Sequence, residues 1–359
     1  MKKKRLRFPL FAQTEVFDLD FFTDVAEVSF GGIDKVFDVS SVFCELNLGS
    51  KFVEIKWYGV IIAFGFTLAA LFGGRIAYTW RINLSKMVDV LIYGTFGGII
   101  GARAYYVIFQ WDYYSQNPAE IFQIWNGGLA IYGGIIGGLL AAFITCKLEK
   151  LNFYNLLDMV GMSLLIGQGI GRWGNYANQE AFGTFTNGNF GMMSKKVAAY
   201  IASHPDKFGL EGVTDVSGYI EENNLFVHPT FFYEFAWCMV GFVLLYIILK
   251  KCRKFSGQIF LCYGIWYGTG RAIFEGLRTD SLYIGDTTLR VSQVLSIAIV
   301  AVCLALLVIN LVKVKKHPQP IEGVDFFPPD AAKTIKEAKA EKAAKKVKEK
   351  AVNQKERNE

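Results

Sequence analysis

The residues from Gly171 to Gly183, with the sequence GRWGNYANQEAFG, are the part of this chain best suited to chemistry. This run, called here the polar signature, places Arg172, Asn175, Asn178 and Glu180 at the end of an apolar segment long enough to cross a bilayer. Polar and ionisable side chains at membrane depth are costly to keep there, so they mark functional sites. We therefore expect Arg172 to meet an anionic lipid group.

A simpler interpretation of Arg172 exists. A lone arginine at the end of a span can extend its guanidinium to the membrane interface and pair there with Glu180. However, Arg172 and Asn175 lie three residues apart, so they share one helix face, and glycines surround them. This combination of polar and small residues favours a functional site.

A second polar group lies at the end of a later apolar segment. Arg271, Glu275 and Arg278 are spaced by four and then three residues, so they lie on one helix face. On a protein surface such an ion-pair ladder contributes little stability. Within a membrane it must face protein or water, and Arg271 lies inside the predicted span. We therefore expect Arg271 to converge with Arg172 on a phosphate.

Three further positions are weaker candidates. Tyr58 opens the first apolar segment, where an aromatic belt at the membrane interface explains it equally well. Arg103 lies near the outer end of the second segment and either extends to the interface or adds to an anionic-lipid site. His228 precedes the fifth segment, and its position favours capping of a head domain over catalysis.

Apolar residues make up 52% of the chain and are concentrated in blocks. A membrane span needs about 20 mostly apolar residues. The blocks that reach this length are 57–79, 88–110, 127–146, 157–176, 229–249, 257–277 and 289–312. The sequence therefore predicts an all-α polytopic membrane protein with about seven transmembrane helices and a small extracytoplasmic head domain.

The charges of the connecting loops predict the orientation of the chain. The loops after the first, third and fifth blocks carry several lysines or arginines, whereas the 110–126 loop carries Asp112 and Glu120 and neither basic residue. Short basic loops stay in the cytoplasm. We therefore expect a multi-pass membrane protein with its N-terminus outside and its C-terminus in the cytoplasm, and an odd number of spans requires such opposite sides.

The blocks also divide the chain into regions. Residues 1–50 form a predicted extracytoplasmic extension, in which alternating Asp, Phe and Val residues are compatible with short strands. Residues 51–316 form the predicted seven-span core, with 177–228 inserted as the extracytoplasmic head. Residues 317–359 are rich in Ala, Lys and Glu and lack an apolar stripe, which predicts a charged cytoplasmic tail, either a solvated helix or disordered.

Composition argues against several kinds of ligand. The net charge of +6 is concentrated in the tails and the cytoplasmic loops, so nucleic acid is not an expected partner. The six cysteines are dispersed, mostly within apolar blocks, and we expect them to be free thiols. Because the chain also has only three histidines, we expect no metal site and no cofactor.

Glycines recur within the predicted spans with small-xxx-small spacing, as in Gly97 and Gly101. Such pairs let helices approach closely in lipid, so tight packing of the helix bundle explains most of them. The glycines on both sides of Tyr132, between residues 127 and 134, could instead clear space for a ligand.

Taken in order, these blocks resemble the prolipoprotein diacylglyceryl transferases of bacteria, over roughly residues 55–315. The resemblance rests on Trp57-Tyr58-Gly59, Gly101 to Arg103, Trp125-Asn126-Gly127-Gly128 with Tyr132-Gly133-Gly134, the polar signature, His228-Pro229 with Tyr233-Glu234, and Arg271 with Glu275 and Arg278. Among these blocks the polar signature is the most specific for the family. Residues 1–50 and 317–359 have no counterpart in the resemblance.

The resemblance implies a reaction. The family transfers the sn-1,2-diacylglyceryl group of phosphatidylglycerol to the thiol of the lipobox cysteine in a prolipoprotein signal peptide, forming a thioether and releasing glycerol 1-phosphate. By the family pattern, Arg172 and Arg271 stabilise the departing phosphate, with Asn175 as polar support. Glu180 and Glu275 then orient the arginines or the glycerol hydroxyls. The implied location is the bacterial cell (cytoplasmic) membrane, and the implied partners are phosphatidylglycerol, these signal peptides and membrane lipids.

The resemblance implies Arg172, Arg271 and Tyr132 as catalytic residues. The implied phosphatidylglycerol-binding residues are Tyr58, Arg103, Arg172, Asn175, Asn178, Glu180, Gly183, Glu275 and Arg278.

Tyr132 stands where the family often has a histidine, to which the role of catalytic base has been assigned. A phenol with a pKa of about 10 is a poor base towards a thiol of about 8.5 unless a nearby arginine lowers its pKa. We favour a hydrogen-bond donor role for Tyr132, with the thiol proton leaving elsewhere. Thr184 also stands where an arginine is common, which removes one headgroup contact.

Two other classes are weighed against the transferase. A transporter or flippase for anionic lipids would also need arginines near the midplane, but transporters usually show internal repeats, and the seven blocks show none. A structural membrane scaffold has no use for a paired arginine site. The sequence therefore favours the enzyme.

Overall fold

The computed structural model describes residues 25–31, 33–47, 52–186, 190–279, 283, 287 and 289–316. Within these residues the chain is mostly helical. The long helices are α1 (Trp57–Thr79), α2 (Leu84–Phe109), α4 (Ile131–Leu148), α5 (Phe153–Asn178), α8 (Thr230–Lys251), α9 (Gln258–Glu275) and α10 (Val291–Lys316). The shorter helices are α3 (Trp111–Tyr114), α6 (Lys195–Ser203) and α7 (Val216–Glu222). Residues 1–24 of the predicted extension and the predicted tail 317–359 lie outside the described residues.

Five of the long helices, α1, α2, α4, α8 and α10, are long and apolar enough to cross a membrane. Each of them overlaps one of the predicted blocks. Helices α5 and α9 have comparable lengths but carry charged side chains, among them Asp158 and Arg172 in α5 and Arg271 in α9. The chain is therefore a mostly helical membrane protein, and α5 and α9 lie outside its set of most apolar helices.

The prediction of an all-α protein is wrong, because the described residues include two β-sheets. The strands are β1 (Val25–Phe30), β2 (Ile33–Ser40), β3 (Val42–Asn47), β4 (Phe52–Lys56), β5 (Phe185–Thr186), β6 (Met192–Ser194) and β7 (Phe226–Val227). Strands β3 and β4 form an antiparallel hairpin, and the other five form one sheet in the order β2-β1-β6-β7-β5. Branched and aromatic residues favour strands, and the described part of the extension forms strands, as the alternation of its residues allowed.

The five-stranded sheet and helices α6 and α7 enclose a small hydrophobic core, and together they are called here the head. The core residues are Phe182, Met192, Met193, Val197, Ala198, Ile201, Phe208, Leu210, Val216, Ile220, Phe226, Val227 and Phe231. Ser194 caps α6, because its hydroxyl oxygen accepts a hydrogen bond from the Val197 N–H. Asp215 caps α7 in the same way, through the Gly218 N–H.

The chain divides into two compact units. One contains the described parts of Met1–Gly73 and Tyr154–Pro318, and the other contains Gly74–Phe153. In the second unit, α2 and α4 pack backbone against backbone: a Cβ added to Gly101 would lie 2.8 Å from Cα of Gly137. The small-xxx-small glycines therefore serve close helix packing, as their spacing predicted.

A buried polar network joins the start of α5 to the start of α9. The Nε of Arg253 lies 3.0 Å from Oδ2 of Asp158, and both side chains are fully buried. The N–H groups of Gly257 and Phe260 donate to the same carboxylate at 2.9 and 3.0 Å. Asp158 thus caps the N-terminus of α9 from another helix. Arg253 is one of the basic residues in the loop after the fifth apolar block, which is predicted to be cytoplasmic. The structure shows that its side chain is a buried ion-pair partner of Asp158.

We expect Asp158→Asn to destabilise the protein by about 3–5 kcal/mol, because Arg253 would keep a buried charge without its partner. Thermal unfolding in detergent measures the effect. The matched control is Glu149→Gln, which breaks the Lys86–Glu149 pair at 3.3 Å, where the side chains are 37% and 35% exposed. This control should cost below about 1 kcal/mol. Equal losses for the two variants would contradict a structural role for the buried pair.

Candidate anion-binding site

Three arginines surround one buried carboxylate in the first unit. Glu234, in the second turn of α8, is 5% exposed. Its Oε2 lies 2.6 Å from Nη2 of Arg172 in α5 and 3.8 Å from Nη1 of Arg271 in α9. Its Oε1 lies 3.9 Å from Nη1 of Arg278, just after α9. The structure therefore brings together Arg172 and Arg271, the two arginines expected to converge, with Arg278, which the sequence placed on the same helix face as Arg271.

A second carboxylate completes this arginine cluster. Glu275 is buried and pairs with Arg271 one turn earlier in α9, with 2.5 Å between Oε2 and Nη2. Three guanidiniums thus face two carboxylates among the described residues, and these five side chains together carry one formal positive charge in excess. Within the described residues, the buried Nη1 of Arg271 has no hydrogen-bond partner. A buried donor beside excess positive charge suits the oxygen of a singly charged anion.

Two tryptophans fix the helices that carry the cluster. The indoles of Trp237 in α8 and Trp266 in α9 stack with ring centroids 4.2 Å apart. Each indole N–H donates to the backbone carbonyl of the other tryptophan, at 3.0 Å. Trp237 follows Glu234 by one turn, and its indole occupies the space that Gly270, directly before Arg271, leaves open. The pair therefore sets the register of α8 against α9 beside the site.

The other polar residues of the signature form a group of their own. The side-chain amides of Asn175 and Asn178 donate to Oε1 of Glu180 at 3.1 and 3.4 Å. Arg172 forms its ion pair with Glu234. The simpler interpretation, in which Arg172 pairs with Glu180 at the membrane interface, therefore does not hold for this ion pair. Glu180 orients carboxamides, whereas Glu234 and Glu275 hold the arginines.

The chain turns sharply after α5. Gln179 and Ala181, on either side of Glu180, have left-handed backbone conformations with φ of 54° and 55°. Such conformations cost about 1–2 kcal/mol for residues other than glycine. The Thr230 hydroxyl donates to the Ala181 carbonyl, which ties this turn to the start of α8. Strain held by its surroundings is common at functional sites.

Gly183 lies where three segments of backbone meet. Its N–H donates to the His228 carbonyl at 3.0 Å, and it forms an antiparallel bridge with Arg278. A Cβ at this position would lie 2.8 Å from Cβ of His228 and 3.1 Å from the Leu277 carbonyl oxygen. A glycine is therefore required for the close approach, and Gly183 acts by placing the backbone that carries Arg278.

Tyr58, at the start of α1, packs on the signature. A Cβ added to Gly174 would lie 2.8 Å from the Tyr58 ring, which is therefore in close contact with α5. Farther along, a Cβ on Gly171 would lie 3.2 Å from Ile62. Small residues of α5 thus let α1 lie against the helix that carries Arg172.

His228 is bound mainly through its backbone. Its N–H donates to the Thr184 carbonyl at 3.0 Å, which complements the bond from Gly183 to its own carbonyl. Its ring Nδ1 lies 3.3 Å from the Tyr233 hydroxyl. Burial lowers the pKa of His228 below its ordinary value of 6.5. These contacts agree with the capping role favoured from the sequence.

Arg103 belongs to the second unit, where it is 7% exposed. Its guanidinium donates to the carbonyls of Glu120, Ile121, Gly127 and Gly128 at distances of 2.6–2.9 Å. Gly127 and Gly128 have positive φ of 86° and 73°, which presents their carbonyls to Arg103. Arg103 therefore orders the 120–128 loop, and its contact with a lipid stays a prediction.

Tyr132, also in the second unit, lies in the first turn of α4 and is 41% exposed. Its ring centroid lies 6.5 Å from that of Tyr105. The neighbouring Gly133 meets the backbone of Gly101 and the side chain of Tyr105, so this glycine serves helix packing. A catalytic role for Tyr132 stays a prediction.

Glu234 is the central residue that sequence reasoning left without a role. It appeared only as part of a block that carried the resemblance, beside Tyr233. The signal that could have found it is a carboxylate near the start of an otherwise apolar helix, which needs an internal cationic partner.

Helices that fit a membrane and a buried arginine cluster define a membrane protein with a candidate site for an anionic group. The sequence model of a family described as prolipoprotein diacylglyceryl transferase matches residues 46–309. Phosphatidylglycerol–prolipoprotein diacylglyceryl transferases of Staphylococcus aureus, strains Newman and JH9, are 40% identical to the chain over 282 residues, which cover 79% of this chain and 93% of each relative. The chain belongs to the prolipoprotein diacylglyceryl transferase family.

We expect Gly183→Ala to destabilise the protein by about 1–3 kcal/mol, because the new methyl group would push the Arg278 backbone away from the head. Thermal unfolding in detergent measures the loss. Gly59→Ala is the control, since a Cβ there meets nothing within 4 Å, and it should be neutral or slightly stabilising. An unchanged midpoint for Gly183→Ala would show that the three segments do not need this close approach.

Proposed function

We propose that this chain transfers the diacylglyceryl group of phosphatidylglycerol to the lipobox cysteine of prolipoproteins, the first step of lipoprotein maturation. Family membership over residues 46–309 supports the reaction. The observation that carries the proposal is the convergence of Arg172, Arg271 and Arg278 on Glu234. This cluster supplies the phosphate-binding groups that the reaction requires.

The proposed chemistry is a displacement at carbon. The cysteine sulfur attacks the glyceryl carbon, a C–S bond forms, and the C–O bond to phosphate breaks. Glycerol 1-phosphate leaves with the electron pair, the thiol proton is released from the cysteine, and the phosphate goes from one negative charge towards two. Arginines that bind this growing charge more strongly than the starting diester lower the barrier. We assign this role to Arg172 and Arg271.

Glu234 makes such a cluster possible before substrate binds. Three guanidiniums close together repel one another, and the repulsion is strong away from water. A buried carboxylate among them holds Arg172, Arg271 and Arg278 in place, so that little reorganisation accompanies the reaction. Glu275 orients Arg271 in the same way.

We propose that the remaining signature residues recognise the headgroup. Asn175, Asn178 and Glu180 form a polar group next to the cluster along α5, suited to the glycerol hydroxyls. Tyr58 supports this end of α5 by packing on Gly174. Among the other expected lipid contacts, Gly183 acts through backbone placement and Arg103 through the 120–128 loop.

We propose that α5 and α9 also cross the membrane, which gives seven spans within 51–316. The charged residues of α5 pair inside the protein with other segments, Arg172 with Glu234 of α8 and Asp158 with Arg253 between α8 and α9, so few charges face lipid. The charges of the basic loops support an orientation with the N-terminus and the inserted segment 177–228 outside and the C-terminus with the 317–359 tail in the cytoplasm.

The proposal is tested with the full chain in membranes that contain labelled phosphatidylglycerol and a lipobox peptide. We expect label to appear on the peptide thiol and glycerol 1-phosphate to be released. Movement of lipid between leaflets without transfer to the peptide would overturn the enzyme and favour a flippase.

In this assay, Arg172→Ala and Arg271→Ala should each lower transfer by about 100-fold or more, because each removes donors aimed at the developing charge. Both variants should still be recovered in membranes. The matched control is Arg81→Ala, an exposed arginine between α1 and α2, which should transfer at the wild-type rate. Full activity in either cluster variant would contradict the phosphate-binding role.

Tyr132→Phe separates the two roles left open for this residue. If Tyr132 donates a hydrogen bond, as we propose, the variant should keep activity within about tenfold of wild type, because one neutral hydrogen bond is worth about 1 kcal/mol. The same transfer assay measures it. A loss as large as that of Arg172→Ala would instead identify Tyr132 as the base.

A further inference from the structure

The first two strands of the chain are part of the head. Strand β1 lies between β2 and β6, with Val28 opposite Ser194 and Phe30 opposite Met192. Both β1 and β2 precede residue 46, where the match to the family begins. The sheet of the head is therefore completed by a segment outside the family match.

Strand β1 is integrated into the head and is not a loose attachment. Val28 is fully buried, and burial of a valine side chain contributes about 1.5–3 kcal/mol. The Ser29 hydroxyl donates to the Met193 carbonyl at 3.3 Å, and the Gly31 N–H donates to the Gly191 carbonyl at 2.8 Å. Strand β1 thus has a fixed position next to β6.

Phe30, the last residue of β1, contacts the polar signature. Its ring centroid lies 6.2 Å from that of Tyr176, and the Tyr176 ring stacks on Phe231 of α8 at 4.8 Å. Tyr176 lies in the last turn of α5, directly after Asn175 and two residues before Asn178. An aromatic chain therefore runs from the extension, through the signature, to the first turn of α8.

We infer that β1 is a positioning element for the C-terminal end of α5, and that Phe30 acts through Tyr176 on the turn that carries Asn175 and Asn178. Without the Phe30 ring, this turn loses one side of its packing. The two carboxamides then spend less time aligned on Glu180. The effect on lipid binding rests on the proposed function, whereas the effect on the turn does not.

The arginine cluster has separate support. Arg172 lies one turn deeper in α5 and is held by Glu234, and the stacked Trp237 and Trp266 fix α8 against α9. Loss of Phe30 should therefore weaken binding of the headgroup more than it slows the chemical step. A mutation that removes uniform binding raises KM and leaves kcat unchanged.

The test compares Phe30→Ala with Val36→Ala in full-length protein, in nanodiscs of phosphatidylglycerol and phosphatidylcholine. Val36 lies on β2 in the same ribbon, opposite Ser29, and is 36% exposed. Hydrogen exchange is measured for Gln179 and Glu180, whose N–H groups donate to the carbonyls of Tyr176 and Asn175. We expect these two N–H groups to exchange about tenfold faster in Phe30→Ala than in the wild type, and at the wild-type rate in Val36→Ala.

Kinetics in the same nanodiscs provide the second measurement. Phe30→Ala should raise KM for phosphatidylglycerol about threefold or more and keep kcat within about twofold of wild type. Phe30→Tyr, which keeps the ring, should restore both KM and exchange. If Phe30→Ala is not recovered folded, Phe30→Leu should show smaller changes in the same directions.

Unchanged exchange at Gln179 and Glu180 in Phe30→Ala would overturn the inference, whether or not the chain transfers lipid. A fall in kcat with unchanged KM, together with faster exchange throughout the head, would show plain destabilisation and would also overturn it. Absence of transfer by the wild-type chain would count against the proposed function only, because exchange would still decide the role of Phe30.

Discussion

The structure around the site depends on one buried carboxylate. Arg172, Arg271 and Arg278 could not share a space largely removed from water unless an opposite charge lay among them, and Glu234 supplies it. Because the four side chains come from three segments, their distances require α5, α8 and the end of α9 to keep a fixed arrangement. The stacked tryptophans and the close approach of three backbone segments at Gly183 provide that arrangement.

A second set of charges acts at the opposite ends of α5 and α9. There, Asp158 pairs with Arg253 and accepts two N–H groups from the first turn of α9. Each of these two helices is therefore bound through charged groups near both of its ends. Every charged side chain of α5 and α9 therefore has an ion-pair partner inside the protein.

Much of this organisation could be read from the sequence. Apolar blocks of span length predicted the long helices, and the spacing of Arg271 and Arg278 placed both on one face. The features that the sequence did not predict depend on contacts between residues that are far apart in the chain. No local sequence pattern indicates that Arg253 is buried against Asp158, or that Glu234 is the partner of three arginines. Likewise, alternation in the extension indicated strands, but the insertion of β1 beside β6 pairs segments more than 160 residues apart.

The five described side chains of the arginine cluster together carry one excess positive charge, which has a consequence for the choice of lipid. A phosphodiester whose headgroup is otherwise neutral brings one negative charge and balances the cluster. A zwitterionic phospholipid brings the same phosphate together with its own ammonium group, so its net charge is zero and the excess remains. Its cation would also have to sit near guanidiniums, away from water. Under the proposed function, discrimination among phospholipids therefore arises from electroneutrality, before any side chain recognises the shape of the headgroup.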